Sequence, residues 1–576
     1  MPILSYESLP RAYPNRFVPD SVDCADWSKL ESFFADLERR PIASSSDLEH
    51  WLDDYSELFT AISEEGTIRY IRMTEQTESA ELKEAYMSFL QNVEPKMKAG
   101  QFSLNKRYIE SEHRKSLPSQ RFSVLDRKIE NSIKLFRENN IGLETEDRVQ
   151  AQKYQEIMGS MTVEFDGRAR TLSEMGKYLE ETDREVRKDA WLSLGRRLLA
   201  DREKVDGIFD SLVSIRDKIA SNAGFANYRD YAFLKRERFD YSPEDCFRFH
   251  DAVADHIVPL LRQVYEKRRS DLNLDVLRPW DAKADPFQRP PLRPFKTTEE
   301  LVRGCHRVFE KVSPQLMREF DEMATLGLLD LESRPGKAQG GYNTELPQLR
   351  LPFIFTNAVG RDDDLRVILH ESGHAFQVYE MRDQNLHYLY RGDGLPSEMA
   401  EVASMSMELV AGQHLEGAFY DAESAARSTQ EHLLMVTWLL GWIATIDAFQ
   451  HWVYTHPGHT REERNDAWVK VHERFGIGDS WEGLDEMRRT QWHRQLHLFE
   501  NPFYYIEYGI AQLGALGIWT MYLKDPQGAV DSYRSALRLG GSKPLPELFR
   551  TAGLPWDFGS PIVEKYAREL KRVILE

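Results

Sequence analysis

The stretch Asp362–Gln377, DDDLRVILHESGHAFQ, governs the reading of the whole chain. Three acids stand at its head, where a helix start carries partial positive charge, and an apolar run follows. On the helix this predicts, His370 and His374 are four residues apart. Both imidazoles then leave one face at a spacing that a single zinc ion bridges. Glu371 is turned by about 100° from His370, so it reaches a metal-bound water without ligating the metal. A carboxylate so placed takes the water's proton during attack on a peptide carbonyl and passes it to the leaving amine. Gly373 and Ala375 keep the helix small enough for close packing.

A zinc site of this kind needs a third protein ligand, with water in the fourth position. Gln377 and Glu380 stand where an HExxHxxGxxH site requires Gly and His, so that class is excluded. Asp393, nineteen residues after His374 in the turn RGDGLP, is one candidate. The next predicted helix, from Pro396 to Glu408, offers others. Glu398, Glu401, Met405 and Glu408 share one face at steps of three and four. Acids repeated on a face that also carries Val, Ala and Met are unusual for a solvated helix. Periodicity leaves the choice among them open.

HESGHAFQ followed by AEVASMSMEL resembles the zinc peptidase family of thimet oligopeptidase and oligoendopeptidase F, and most closely its Pz-peptidase-like bacterial branch. The resemblance covers roughly Asn227 to Ala552. It implies that Glu401, in the pattern Glu401-x-x-Ser404-x-x-x-Glu408, is the third ligand beside His370 and His374. Glu408 would then hold a ligand imidazole, and Glu371 would be the general base. It also implies that His497, Tyr504 and Tyr508, in the segment HLFENPFYYIEYG, bond to substrate and to the tetrahedral oxyanion, with Tyr505 a substrate-binding neighbour. Read without the resemblance, the same tyrosines are core aromatics. Gly340, Gly341 and Tyr342 resemble the family's edge-strand region, where a substrate backbone adds as a strand. The implied molecule is a mostly helical, two-lobed ellipsoid with a deep channel, a small edge sheet and one Zn2+ per chain. The implied reaction is endopeptidase cleavage of short, unfolded oligopeptides. A zinc carboxypeptidase or dipeptidyl carboxypeptidase, and a non-catalytic peptide-binding scaffold, are the alternatives.

Composition narrows the partners. A formal net charge of -19 opposes nucleic-acid binding, which needs a basic face. Three scattered cysteines, Cys24, Cys246 and Cys305, make no disulfide framework and suit the cytoplasm. The N-terminal residues lack a basic segment followed by an apolar one, so no signal peptide is expected. The longest apolar stretch, Leu433 to Ile446, is too short to span a bilayer and reads as a buried helix, with no membrane partner.

Helical periodicity dominates elsewhere, as in Trp27–Leu37, Asp183–Ser221 and Pro243–Arg269. Met161–Phe165 and Gln348–Thr356 read as strands, and Pro352 places the second at an edge or bulge. The proline-dense Leu277–Pro294 reads as a crossing loop within one body. The expected organisation is an N-terminal helical lobe over residues 1–180 and a zinc peptidase region over 181–576.

Overall fold

The computed structural model describes residues 6–575 apart from Gln339, with Asp393 described by its backbone alone. Helices dominate, and five strands are present among the described residues: β1 (Thr162–Phe165), β2 (Arg168–Thr171), β3 (Leu329–Glu332), β4 (Tyr342–Leu346) and β5 (Leu351–Ala358). The chain divides by compactness into two units. The first gathers residues up to Ile133, Leu292–Thr429 and Gly514–Trp556; the second gathers Lys134–Pro291, Gln430–Leu513 and the chain from Asp557. This differs from the expected boundary near residue 180. Leu277–Pro294, read as a loop inside one body, contains the passage from the second unit to the first. Its prolines donate no backbone hydrogen bond and favour extended chain, which suits a passage better than a packed element.

The first unit has an N-terminal core built on helix Ser45–Glu75, whose Trp51, Leu52, Tyr55 and Phe59 pack with Leu30, Phe34 and Leu37 of helix Trp27–Arg39. The second helix starts at Asp26, whose side chain accepts from the Ser28 N–H. Leu30, Phe34 and Leu37, at helical steps of four and three, form its buried face.

The unit also holds a three-stranded sheet in the order β3-β5-β4, with β3 parallel and β4 antiparallel to β5. β5 is therefore central, and the edge position inferred from Pro352 is not observed. Parity explains the tolerance. The Ile354 N–H bonds to Leu328 O on the β3 side, so position 352 also faces that side. The pairing with β3 begins only at Leu329 opposite Ile354, so no strand partner requires an N–H at Pro352. The same parity turns the peptide groups of Asn343 away from β5, because Asn343 lies opposite Ile354.

Helix Asp362–Met381, the motif helix, packs on β5 and β4 and against helix Ser397–Ala411, the ligand helix. Asp364 receives the Arg361 N–H at 2.8 Å, closing the first turn. Asp362 accepts from Tyr420 and Ser428 hydroxyls at 2.6 and 2.7 Å. At the other end Glu380 is gripped by Arg534 and, at 2.7 Å, by Arg538. Midway, the ligand helix comes so near that a Cβ on Gly373 would lie 2.5 Å from Ala403 O and 2.6 Å from Ser404 Cα. Both are backbone atoms, so neither can swing aside.

In the second unit, helices Asn140–Ser160 and Arg202–Asn222 pair. The run expected from Asp183 to Ser221 is two helices, broken at Asp201, whose backbone leaves the helical region. Pro243–Arg269 is likewise interrupted by a π-helical turn at Val253–Ile257, just ahead of Pro259, which has no N–H to continue the ladder. Helix Ala422–Thr455 is much longer than the apolar stretch within it. By length and composition it could cross a membrane, but 67% of its apolar window is buried in the protein, as in a core helix.

Gly373→Ala gains about 1 kcal/mol of helix propensity but overpacks a backbone contact, which costs about 1–3 kcal/mol. The expected outcome is a lower denaturation midpoint together with weakened metal binding, read by urea titration and metal analysis. A midpoint and a metal content equal to the parent's would show that the helices can separate freely.

Candidate active site

The motif helix and the ligand helix bring three ligand-type side chains together. His370 Nε2 lies 3.4 Å and His374 Nε2 3.8 Å from Glu401 Oε2. The candidate ligand atoms of the three residues all fall within 4.8 Å of one another. Two imidazole nitrogens and one carboxylate oxygen form a donor set that suits zinc and leaves a fourth position for water.

Each donor is held from behind. His370 Nδ1 is 2.6 Å from Glu408 Oε1, about two turns along the ligand helix from Glu401. The ring of His374 bonds to the Ala400 carbonyl. Such contacts fix which ring nitrogen faces a metal. Ser404, fully buried, has its hydroxyl 3.0 Å from Glu401 Oε2 and 3.1 Å from the Glu401 carbonyl.

The electrostatics follow from burial and from the carboxylate pair. Burial pulls the His370 imidazolium down, but bonds to Glu401 and Glu408 outweigh it and hold the group well above its usual range. Burial dominates at His374 and lowers it to about 4. Burial would raise Glu401, yet the two imidazoles keep it below the ordinary carboxylate range. Glu371 is different. Burial, aided by the negative charge of Glu401 and Glu408, raises it to about 7 against the pull of His370.

Glu371 points to the sheet. Its carboxylate accepts the backbone N–H of Asn343, the residue whose peptide groups face away from β5. β4 is thus the outer strand of the sheet and also a wall of the site. Gly340 and Gly341, just before it, are exposed, and Gly340 has φ +98°, a conformation that favours glycine. The Tyr342 side chain is turned inward, stacked on Phe355 and bonded to Thr74 Oγ1 at 2.7 Å. Its peptide groups face β5 opposite Phe355, so the outward groups at this edge belong to Asn343 and Glu345.

His497, Tyr504, Tyr505 and Tyr508 cluster in the second unit, His497 in the short helix Leu496–Glu500 and the tyrosines at and just before the start of helix Tyr505–Tyr522. The His497 ring lies 4.8 Å from Tyr505 and 6.0 Å from Tyr508, and Tyr504 lies 5.0 Å from Tyr508. All four are half-buried, unlike the fully enclosed Phe503 between them. Phe503 has φ +66°, and it is kept there by Gln450, which accepts its N–H, and by Arg238, which donates to its carbonyl. Arg238 and Arg236 also pair with buried Glu507 at 2.9 and 3.3 Å.

Several of these supports were invisible in the sequence. Ser404 lay inside a pattern but had no assigned task. Asn343 acts through its backbone, which no side-chain pattern reports. Arg236, Arg238 and Gln450 are distant along the chain from the turn they hold. Glu398 is buried on the ligand helix. The side chain of Asp393 lies outside the described residues.

The chain is similar to known peptidases. A model of peptidase family M3 matches residues 177–567, and one of the M3 N-terminal domain matches residues 20–136. Oligopeptidase PepF of Bacillus subtilis is 22% identical over 409 residues, 67% of this chain and 56% of PepF, so the match spans little more than half of that protein. An oligoendopeptidase F homolog of Borreliella burgdorferi is 23% identical over 73% of both chains. Among solved structures, PZ peptidase A with inhibitor 2 superposes with a TM-score of 0.87 at 28% identity, covering 97% of this chain and 99% of that one. With the family model matched over well more than half of its length and both helices of the site inside the match, the chain belongs to peptidase family M3.

Proposed function

We propose that this peptidase is a zinc-dependent, cytoplasmic endopeptidase that hydrolyses internal bonds of short, unfolded oligopeptides. The observation that carries the reading is the donor set itself. Two imidazoles converge on one carboxylate oxygen, while a second carboxylate, Glu371, stands beside them and outside the set. His370, His374 and Glu401 would hold one zinc ion, which when bound lowers the pKa of a coordinated water to about 7 and polarises the scissile carbonyl. Glu408, Ser404 and the Ala400 carbonyl orient those ligands. Glu371 accepts the proton of the attacking water and returns it to the leaving amine.

Substrate class follows from the wall beside Glu371. The outward peptide groups of β4, at Asn343 and Glu345, suit an extended backbone added as a strand, the conformation a short unfolded peptide adopts readily. Gly340 and Gly341 allow a second chain to approach closely. His497, Tyr504 and Tyr508 are the proposed donors to substrate and to the oxyanion, with Tyr505 lining the same cluster. Three buried free cysteines support a reducing compartment. Mass-spectrometric mapping of products from peptides blocked at both ends tests the endopeptidase reading. Internal cuts are expected, whereas cleavage confined to peptides with a free C-terminal carboxylate would make the protein a carboxypeptidase.

The ligand assignment predicts a graded series. Glu401→Ala should lose the zinc held by this set, and Ser404→Ala and Glu408→Ala should bind it there about 10–100-fold more weakly, as expected when an orienting contact goes. Glu398→Ala should keep it. Equilibrium titration with a chelator measures the order, and full zinc in Glu401→Ala would displace Glu401 from the site.

Glu371→Gln removes the proton acceptor and no ligand, so zinc content should stay while kcat falls by about a hundredfold or more. Parent-like turnover in this variant would assign the base elsewhere.

Tyr508→Phe, or Tyr504→Phe if that tyrosine is the donor, should lower kcat by about a hundredfold with little change in KM, as loss of one oxyanion donor costs about 2.7–4 kcal/mol. Stability should barely move. Two active Phe variants, each destabilised by about 1 kcal/mol, would make these tyrosines packing residues.

A further inference from the structure

A second group of metal-ligating side chains lies in the second unit, and the peptidase chemistry makes no use of it. Asp447 and His451 are one turn apart on helix Ala422–Thr455, and Cys246 and His250 are one turn apart on helix Pro243–Ala252. All four are almost wholly buried. The candidate ligand atoms of Cys246, Asp447 and His451 lie within 4.8 Å of one another, the same spread as in the His370–His374–Glu401 set. His451 Nε2 is 3.3 Å from Asp447 Oδ2, against 3.4 and 3.8 Å for the imidazole–carboxylate pairs of that set. Tetrahedral zinc with bonds of about 2.0–2.3 Å holds its ligands roughly 3.3–3.8 Å apart.

The protein itself does not satisfy these groups. His250 Nε2 lies 2.9 Å from Asp447 Oδ2 and holds that oxygen. Asp447 Oδ1 and His451 Nδ1 are buried without a hydrogen-bond partner among the described residues, and His451 Nε2 has only the 3.3 Å contact with Asp447 Oδ2. The surroundings are apolar. The rings of Phe247, Phe503 and Phe233 lie 4.8, 5.4 and 5.9 Å from that of His451. Arg238, whose charge reaches the cluster, is committed to Glu507 and to the Phe503 carbonyl. Buried polar atoms without partners are rare and call for a missing one.

We infer that Cys246, Asp447 and His451 bind a second divalent metal ion, zinc or a cation of similar softness, in a structural role. Sulfur, nitrogen and oxygen together are a zinc-type donor set. A thiolate and a carboxylate balance the two positive charges, so the occupied site is neutral within its aromatic walls. The Cys246 thiol releases its proton to solvent on binding. Burial keeps that thiol protonated when no metal is bound, so the cation supplies the ionisation. His250 bears on Asp447 as Glu408 bears on His370. The ion would tie the two helices together at His451, whose ring packs on Phe503, the left-handed residue immediately before Tyr504. It therefore sets the turn from which the tyrosine cluster begins.

Metal analysis of the full chain, purified without chelator, tests this. Two zinc ions per chain are expected in the parent and one in each of His370→Ala, Cys246→Ser and His451→Ala. One ion in the parent that disappears in His370→Ala would overturn the inference, as would two retained in both Cys246→Ser and His451→Ala. Loss of catalytic zinc from His370→Ala with the second ion kept would separate the two sites. Should the unit 2 variants fail to fold, the parent produced in cobalt medium decides the matter. The His370–His374–Glu401 set contains no sulfur, so a thiolate-to-cobalt charge-transfer band in the near ultraviolet reports Cys246. Cobalt-loaded protein without that band would exclude the site.

Discussion

The motif helix and the ligand helix meet backbone to backbone at Gly373, and the geometry of the metal-ligand set depends on that contact. With a side chain there, the helices would stand apart by the width of a methyl group, because the atoms in the way are Ala403 O and Ser404 Cα. Glu401 and Ser404 flank the contact on one helix, and His370 and His374 flank it on the other. The Glu401 carboxylate oxygen lies 3.4 and 3.8 Å from the two imidazole nitrogens, so a shift between the helices would be felt directly in that set. Glycine within a helix normally costs about 1 kcal/mol relative to alanine. Here that cost is offset by a contact no other residue allows. Tyr533 completes it from the far side, donating to the same Ala403 carbonyl at 2.9 Å.

A contact this tight is useful only if neither helix can slide. The motif helix is held at its head, where Asp362 receives two hydroxyls, and at its tail, where Glu380 takes two arginines. Both holds involve charge in a partly or fully buried setting, and removing one partner there leaves the other uncompensated. Between them the helix lies on β5 and β4, and Glu371 reaches β4 through the Asn343 N–H. Helix register, sheet register and the direction of one carboxylate are thereby coupled. A change in any of them would move the Glu371 carboxylate relative to His370, His374 and Glu401.

In the second unit the aromatic cluster depends on buried cations in a similar way. Arg216, fully buried, donates to Tyr454 at 2.6 Å and to the Leu498 carbonyl at 3.0 Å, and is paired with Asp147. Arg238 holds Phe503 in its left-handed conformation and pairs with Glu507. The segment carrying His497 and the tyrosines is thus fixed from below by guanidinium groups while its own rings stay half-exposed. That division of labour suits the binding role proposed for these side chains, because groups that face a ligand cannot also hold themselves in place.

The sequence alone determined the motif helix, its two histidines and the offset of Glu371, because helical period converts spacing into direction without reference to the rest of the chain. It also determined that Gly373 must allow a close neighbour, and the family resemblance picked out the acids of the ligand helix. It did not determine which neighbour Gly373 meets, nor that Ser404 and the Asn343 N–H serve Glu401 and Glu371. Those facts depend on helix packing and strand register, which are set by contacts between residues far apart in the chain. Pro352 shows the limit most directly. Proline forbids a hydrogen bond on one side of a strand, so an edge position or a bulge was the local reading, yet β5 is central and its pairing with β3 begins two residues beyond Pro352. The division into two units was hidden for the same reason. Each unit is assembled from three separate segments, and only the folded chain shows which segments share a core.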